Sequence, residues 1–279
     1  MSITLLDGAV GTSLWAKAEA RGIKKVPVWR YNIEHPELVT ELAKDYAEAG
    51  AKIILANTFG ANRIAVKRTN YSVSQVVTEG VKLAKAAIAG ADAKLALAAG
   101  PLTEFMEPYG DLEEEDVDEI YTEMIEAGIA AGAQCITIQT FMELEMMRVA
   151  AAAAKRFHVP VYCTMTFEKS GKTLMGNSVK DIIAALSPLN IDAIGMNCSL
   201  GPVAALPIIR EFRDNTDIPL MYKPNAGLPI TASDGTVTSA YTPAQFVEEL
   251  KPAFDFVSYI GGCCGTDASF TKALSEALK

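Results

Sequence analysis

Short apolar runs and longer amphipathic segments alternate eight times along this chain. The apolar runs lie at residues 3–9, 53–57, 95–100, 135–140, 161–167, 193–198, 220–225 and 256–262. Their shortness and near-continuous apolarity fit strands buried on both faces of a parallel sheet. Between them, helical patterns cover 36–49, 73–89, 114–131, 144–157, 179–186, 202–213 and 243–250, and a last helix is expected over 266–278. Eight strand–helix units predict an α/β fold of the (β/α)8 TIM-barrel type, although a doubly wound sheet has similar local patterns. With no linker rich in Ser or Gly and no long charge block, one domain over 1–279 is expected.

Helix starts support this division. Thr242 precedes Pro243, which occupies a first helical position where its missing N–H costs little. Glu34-His35-Pro36-Glu37 leads into another helix in the same way. The acidic run over 113–116 suits the positive end of a helix dipole better than a binding site.

Composition narrows the function classes. A chain of 279 residues that is 50% hydrophobic has ample material for a barrel core. It contains no apolar run of about 18 residues, and Met1-Ser2-Ile3-Thr4 lacks the basic start of a signal peptide. Five cysteines, an odd number, fit reduced thiols and a cytoplasmic protein rather than a disulfide scaffold. A net charge of −9 disfavours nucleic acid or an anionic membrane as partner. The two histidines, His35 and His158, read as a helix-start residue and a loop residue, leaving little room for histidine chemistry.

The unusual stretch is Gly261-Gly262-Cys263-Cys264-Gly265-Thr266. Vicinal cysteines can share one metal where the backbone turns sharply, and flanking glycines permit such a turn. A third thiolate would come from a distant segment, as at a catalytic zinc with one open position. Buried core cysteines and a strained vicinal disulfide are the other readings. Placing residues on the predicted barrel helps to choose. Asp7-Gly8, Asn57, Gly100, Gln139, Asn197-Cys198, Asn225 and Cys263-Cys264 fall at strand ends that share one face, where barrel active sites lie. Cys198, Cys263 and Cys264 would converge there, whereas Cys135 and Cys163 fall where core packing is expected.

Five motifs carry a family resemblance. Leu6-Asp7-Gly8-Ala9-Val10-Gly11-Thr12, Asn57-Thr58-Phe59-Gly60-Ala61-Asn62, Asn197-Cys198-Ser199-Leu200-Gly201-Pro202, Pro224-Asn225-Ala226-Gly227-Leu228-Pro229 and the Gly-Gly-Cys-Cys-Gly-Thr stretch resemble homocysteine S-methyltransferases. They occur in family order over nearly the whole chain. They are most similar to the homocysteine-binding domain of cobalamin-dependent methionine synthase. The resemblance implies a zinc ion on Cys198, Cys263 and Cys264, with Asn225 near the metal and Asp7, Gly8 and Asn57 at the homocysteine pocket. It also implies methyl transfer to homocysteine within methionine biosynthesis. A methylcobalamin carried by a separate corrinoid protein is the expected donor, since no donor domain fits beside the barrel.

One position departs from the pattern. Gln139 stands where the family commonly has a glutamate facing the substrate amino group. A neutral amide offers no counter-charge to an ammonium, so weaker homocysteine binding, recruitment of Glu143 by a register shift, or another thiol acceptor is expected. Demethylation of a methylated substrate in the reverse direction uses the same parts. Two further classes remain: a Schiff-base aldolase built on Lys223, and a non-catalytic zinc- or thiol-binding module. Lys169-Ser170-Gly171-Lys172-Thr173 lacks the glycine spacing of a phosphate loop and reads as a hairpin-like turn. Trp15 and Trp29 either line the mouth or cover the barrel end.

Overall fold

The computed structural model describes residues 3–227, 230–231, 237–238 and 240–279. Met1, Ser2 and the Leu228-Pro229 end of the proline-bounded motif lie outside the described residues. Each of the eight apolar runs contributes one parallel strand: Thr4–Leu5, Ile53–Leu55, Lys94–Ala99, Cys135–Phe141, Val161–Met165, Ala193–Asn197, Leu220–Lys223 and Tyr259–Ile260. Neighbours pair in sequence order from the second strand to the eighth, and the eighth pairs with the first. The ring closes where Leu6 bridges Ile53, with the Asp7 N–H donating to Ile53 O at 3.1 Å. This is the (β/α)8 barrel that the alternation predicts.

Several strands end earlier than their apolar runs. The first stops at Leu5, the seventh at Lys223 and the eighth at Ile260. Pro224 lacks the N–H a ladder needs, and Gly261-Gly262 turn inward beside Asp7. These shortened ends release residues 7–9, 198–201, 224–227 and 261–266 to build the mouth.

Side chains of alternate residues fill the barrel. Leu6, Leu55, Ala98, Tyr162, Ala193 and Met221 belong to an inner cluster, separate from the larger core between sheet and helices. Continuing the same alternation toward the C-terminal ends brings Gln139, Thr164, Asn197 and Lys223 inward. The barrel interior is thus apolar below and polar at its mouth.

The helices follow their expected spans closely. Pro243–Leu250 begins with Thr242 accepting the Gln245 N–H at 3.3 Å while Gln245 Oε1 accepts the Thr242 N–H at 3.0 Å. Glu114–Ala131 opens on the acidic run, where Asp116 accepts the Glu113 N–H, and closes at Gly132 in the left-handed region. The last helix, Ala268–Ala277, starts two residues later than expected because Asp267 caps it through the Ser269 N–H. Helices Gly11–Glu19, Tyr31–Glu34 and Arg63–Val66, and the antiparallel pair Ile230–Thr231 with Val237–Thr238, lie outside the eightfold pattern. Gly171 sits in a tight turn closed by Glu168 N–H to Lys172 O at 2.8 Å, as a hairpin-like loop requires. No helix of the described residues is long and apolar enough to cross a membrane.

Candidate metal centre

The chain turns abruptly after the sixth strand. Cys198 and Ser199 have φ values of 61° and 54°, in the left-handed region that side chains other than Asn, Asp or Gly rarely adopt. Such conformations cost about 1–3 kcal/mol each and persist only where neighbours hold them. Here the Cys198 N–H donates to Lys223 O at 3.0 Å, and the Asn225 N–H donates to Leu200 O at 2.9 Å. Ser199 Oγ accepts the Phe167 N–H at 3.2 Å. The bend is therefore fixed from the strands on both sides.

The vicinal pair is held with similar redundancy. The Cys263 N–H donates to Pro224 O at 2.8 Å, and the Ala226 N–H to Cys264 O at 3.0 Å. Thr266 folds back over the turn, its Oγ1 donating to Cys263 O at 2.7 Å and accepting the Ala9 N–H at 3.2 Å. A Cβ on Gly262 would meet Thr266 at 2.5 Å, so the glycine is required by close approach rather than by φ.

These two turns bring Cys198, Cys263 and Cys264 together, with their Sγ atoms within 4.8 Å of one another. Cys198 and Cys264 Sγ are 3.7 Å apart. Bonds of about 2.3 Å to a tetrahedral zinc would place sulfurs about 3.8 Å apart, so this edge already has the required length. Cys263 and Cys264 donate to Cys198, and hydrogen bonds from the Ser199 N–H and the Asn225 carboxamide add to the effect, holding the Cys198 thiol well below its ordinary range. By donating to Cys198, the Cys264 thiol is itself pushed up to about 11, and Cys263 is raised for the same reason. Three sulfur donors gathered on one point suit a soft metal. Asn225 Oδ1 is buried with no hydrogen-bond partner among the described residues, which leaves an oxygen free beside the sulfurs. Three sulfurs and an unengaged oxygen fit zinc.

All five cysteines are free thiols, so no vicinal disulfide forms. Cys135 and Cys163 are fully buried in the sheet, where burial pushes Cys135 up to about 12; they are core residues.

The other expected site residues have distinct surroundings. Asp7 is buried; its Oδ2 accepts the Leu55 N–H at 2.8 Å and its Oδ1 pairs with Lys223 Nζ at 2.7 Å. Gly8 packs so tightly that a Cβ would meet Thr266 Oγ1 and Tyr46 Oη, both at 2.8 Å. Asn57 Nδ2 donates to Val28 O and Asn32 Oδ1, which anchors the segment before the second strand, while its Oδ1 has no partner among the described residues. Gln139 faces the barrel interior, 9% exposed, with no side-chain hydrogen bond among the described residues. After it, Thr140 bulges at φ 70° and the pairing with the fifth strand shifts register. Glu143 follows the strand, buried, with its carboxylate on the Met106 N–H and its Oε2 without a partner among the described residues.

Sequence reasoning gave Asn197 no role, yet its carboxamide links the mouth. It accepts the Thr140 N–H and Thr164 Oγ1, each at 2.8 Å, and donates to Thr140 Oγ1 at 2.7 Å and Cys263 Sγ at 3.7 Å. Its inward place in the sixth strand, two residues after Gly195, was the available signal. Lys223 is held in an ion pair, the opposite of the free amine that Schiff-base chemistry needs. Trp15 borders a groove of about 690 Å³ that reaches Cys264, whereas Trp29 is buried against Tyr71. His35 stands at the N-terminal boundary of the helix Pro36–Glu48 without a side-chain capping bond, and His158 leads into the fifth strand.

Comparison with known proteins agrees with this geometry. The family model for homocysteine S-methyltransferase matches residues 4–278. The methionine synthases of Mycobacterium tuberculosis and Mycobacterium leprae are each 28% identical to the chain, over 293 and 296 residues respectively. Each alignment covers 98% of this chain but 24% of the relative, so the chain spans about a quarter of their length. Two structures of the homocysteine methyltransferase MmuM from Escherichia coli, the oxidized and metallated forms, superpose with TM-scores of 0.82 at 22% identity. They cover 99% of this chain and 96% of theirs, and they share its fold.

Proposed function

Since the chain belongs to the homocysteine S-methyltransferase family, we propose that it moves a methyl group onto the sulfur of homocysteine at a zinc ion held by Cys198, Cys263 and Cys264. The observation that carries this reading is the convergence of those three thiols within 4.8 Å at the C-terminal mouth of the barrel. Held by these cysteines, zinc would supply the Lewis acidity that lets an acceptor thiol, whose ordinary pKa is about 8.5, react as a thiolate near neutral pH.

The protein's own groups then have simple tasks. The three cysteines supply a soft, negative ligand set, which keeps electron density on an added sulfur. The Asn197 carboxamide N–H fixes Cys263, and the Asn225 carboxamide hydrogen-bonds Cys198 while its Oδ1 has no partner among the described residues. The acceptor sulfur provides the electron pair of the new S–CH3 bond, and the donor retains the pair of the bond that breaks. This transfer requires no histidine base, in keeping with histidines that serve a helix start and a strand entry.

A methylated corrinoid protein docking on the mouth is the proposed donor. The most exposed large apolar side chains among the described residues support it: Phe105, Tyr109, Leu174 and Val203 are 40–70% exposed, the first three on connections that follow the third and fifth strands and Val203 in the first turn of the helix that follows the sixth. Exposed apolar groups gathered on one face mark an interaction surface. The test is to incubate zinc-loaded protein with methylcobalamin and L-homocysteine, following loss of the methylcobalamin spectrum and formation of methionine. Methionine formation that is abolished in Cys198→Ala, Cys263→Ala and Cys264→Ala supports the reading. Transfer from a sulfonium donor alone would replace the corrinoid, and failure with every donor class would overturn the acceptor assignment.

A further inference from the structure

The Lys223–Asp7 pair lies directly under the sulfur cluster. Lys223 O accepts the Cys198 N–H, and Asp7 O accepts the Gly262 N–H at 3.3 Å, so both residues sit one step below the ligand turns. Their side chains are 4% and 1% exposed, and they meet across the barrel mouth at 2.7 Å. Asp7 is fully engaged, since its second oxygen accepts the Leu55 N–H. Lys223 is not. An ammonium has three donors, and Asp7 Oδ1 is the sole side-chain partner of Lys223 among the described residues. A buried charge with two idle donors is costly unless something accepts from them.

Lys223 is also the only buried lysine or arginine among the described residues. Among the described residues, an acid group brought into the barrel mouth meets no other buried lysine or arginine. The ammonium side of an amino-acid acceptor is served differently. Gln139 faces the same interior and carries no charge, both Asp7 oxygens are engaged, and Glu143 lies past the strand end, at the start of the next helix, with one carboxylate oxygen still without a partner among the described residues. Lys223 is thus the buried cation of the mouth that, among the described residues, has donors left to offer an acid group.

We propose that Lys223 binds the carboxylate of the acceptor thiol, and that this site selects its acceptor by the acid group rather than by the amino group. The inference rests on the acceptor reading above and narrows it: the substrate class is a short thiol acid, of which homocysteine is one member.

Calorimetric titration of the zinc-loaded protein with three commercially available thiols tests it. L-homocysteine is compared with 4-mercaptobutanoate, which lacks the amino group, and with 3-aminopropane-1-thiol, which lacks the carboxylate. Loss of the amino group is expected to weaken binding by no more than about fivefold, and loss of the carboxylate by about 10–100-fold. The double variant Lys223→Met/Asp7→Asn removes both charges without orphaning either. It is expected to bring homocysteine and 3-aminopropane-1-thiol within about fivefold of one another. A purely structural pair would leave that ratio unchanged, and an unchanged ratio overturns the proposal. So does a wild-type protein that tolerates loss of the carboxylate but not of the amino group, a comparison that stands even if the variant does not fold. Binding of none of the three would overturn the acceptor reading itself.

Discussion

Asn197 uses every donor and acceptor of its carboxamide, and does so across three strands and one ligand sulfur. Its replacement by Ala would leave the Thr140 N–H without its acceptor at a largely dry position. We expect Asn197→Ala to lower stability by about 1–3 kcal/mol in urea unfolding, because an unsatisfied buried group costs that much. It should also weaken zinc retention in a chelator competition; unchanged stability would show that water replaces the amide. Gln139 tests the pocket from the other side. Gln139→Glu would supply the missing counter-charge, so homocysteine should bind about tenfold tighter while 4-mercaptobutanoate does not. An equal effect on both thiols would place the amino group elsewhere. At this level the sequence was partly legible. Vicinal cysteines between glycines announce themselves, but Lys223 and Asp7 are 216 positions apart and nothing local links them. Asn197 was hidden for the same reason, since its partners come from the fourth, fifth and eighth strand ends.

The eight strands and their helices were legible as elements because strands buried on both faces write continuous apolar runs. Several of their ends were not, because the last residues of those runs leave the ladder to build the mouth. Irregularity inside a strand is hidden too: Thr140 bulges in the left-handed region within Cys135–Phe141, and only pairing with the fifth strand reveals it. The same connection carries a titrating group. Burial raises the Glu143 carboxyl above its ordinary range, more than the Met106 N–H lowers it. A carboxyl with a higher pKa folded than unfolded binds more protons in the native state. Its ionisation therefore destabilises the fold as pH rises from the unfolded value of about 4.3 through the raised folded value. Glu143→Gln should accordingly raise the melting temperature at pH 7 and have little effect at pH 4. The opposite order would mean that the charged carboxylate is stabilised by a partner.

For the molecule as a whole, closure of the barrel is what makes the site. Residues near positions 7, 139, 198, 225 and 264 meet because eight parallel strands point one way. The same closure gathers Phe105, Tyr109, Leu174 and Val203 on that face. If they receive a donor protein, Phe105→Ser/Tyr109→Ser should slow transfer from a methylcobalamin-loaded corrinoid protein and leave transfer from free methylcobalamin unchanged. Equal slowing of both would assign these side chains to the fold instead. The most direct test of the account is zinc-edge X-ray absorption on the purified protein, with and without L-homocysteine. Three sulfurs and one lighter ligand, becoming four sulfurs when homocysteine is added, is the expected result. A protein without zinc, or a zinc site whose sulfur count ignores homocysteine, would contradict it.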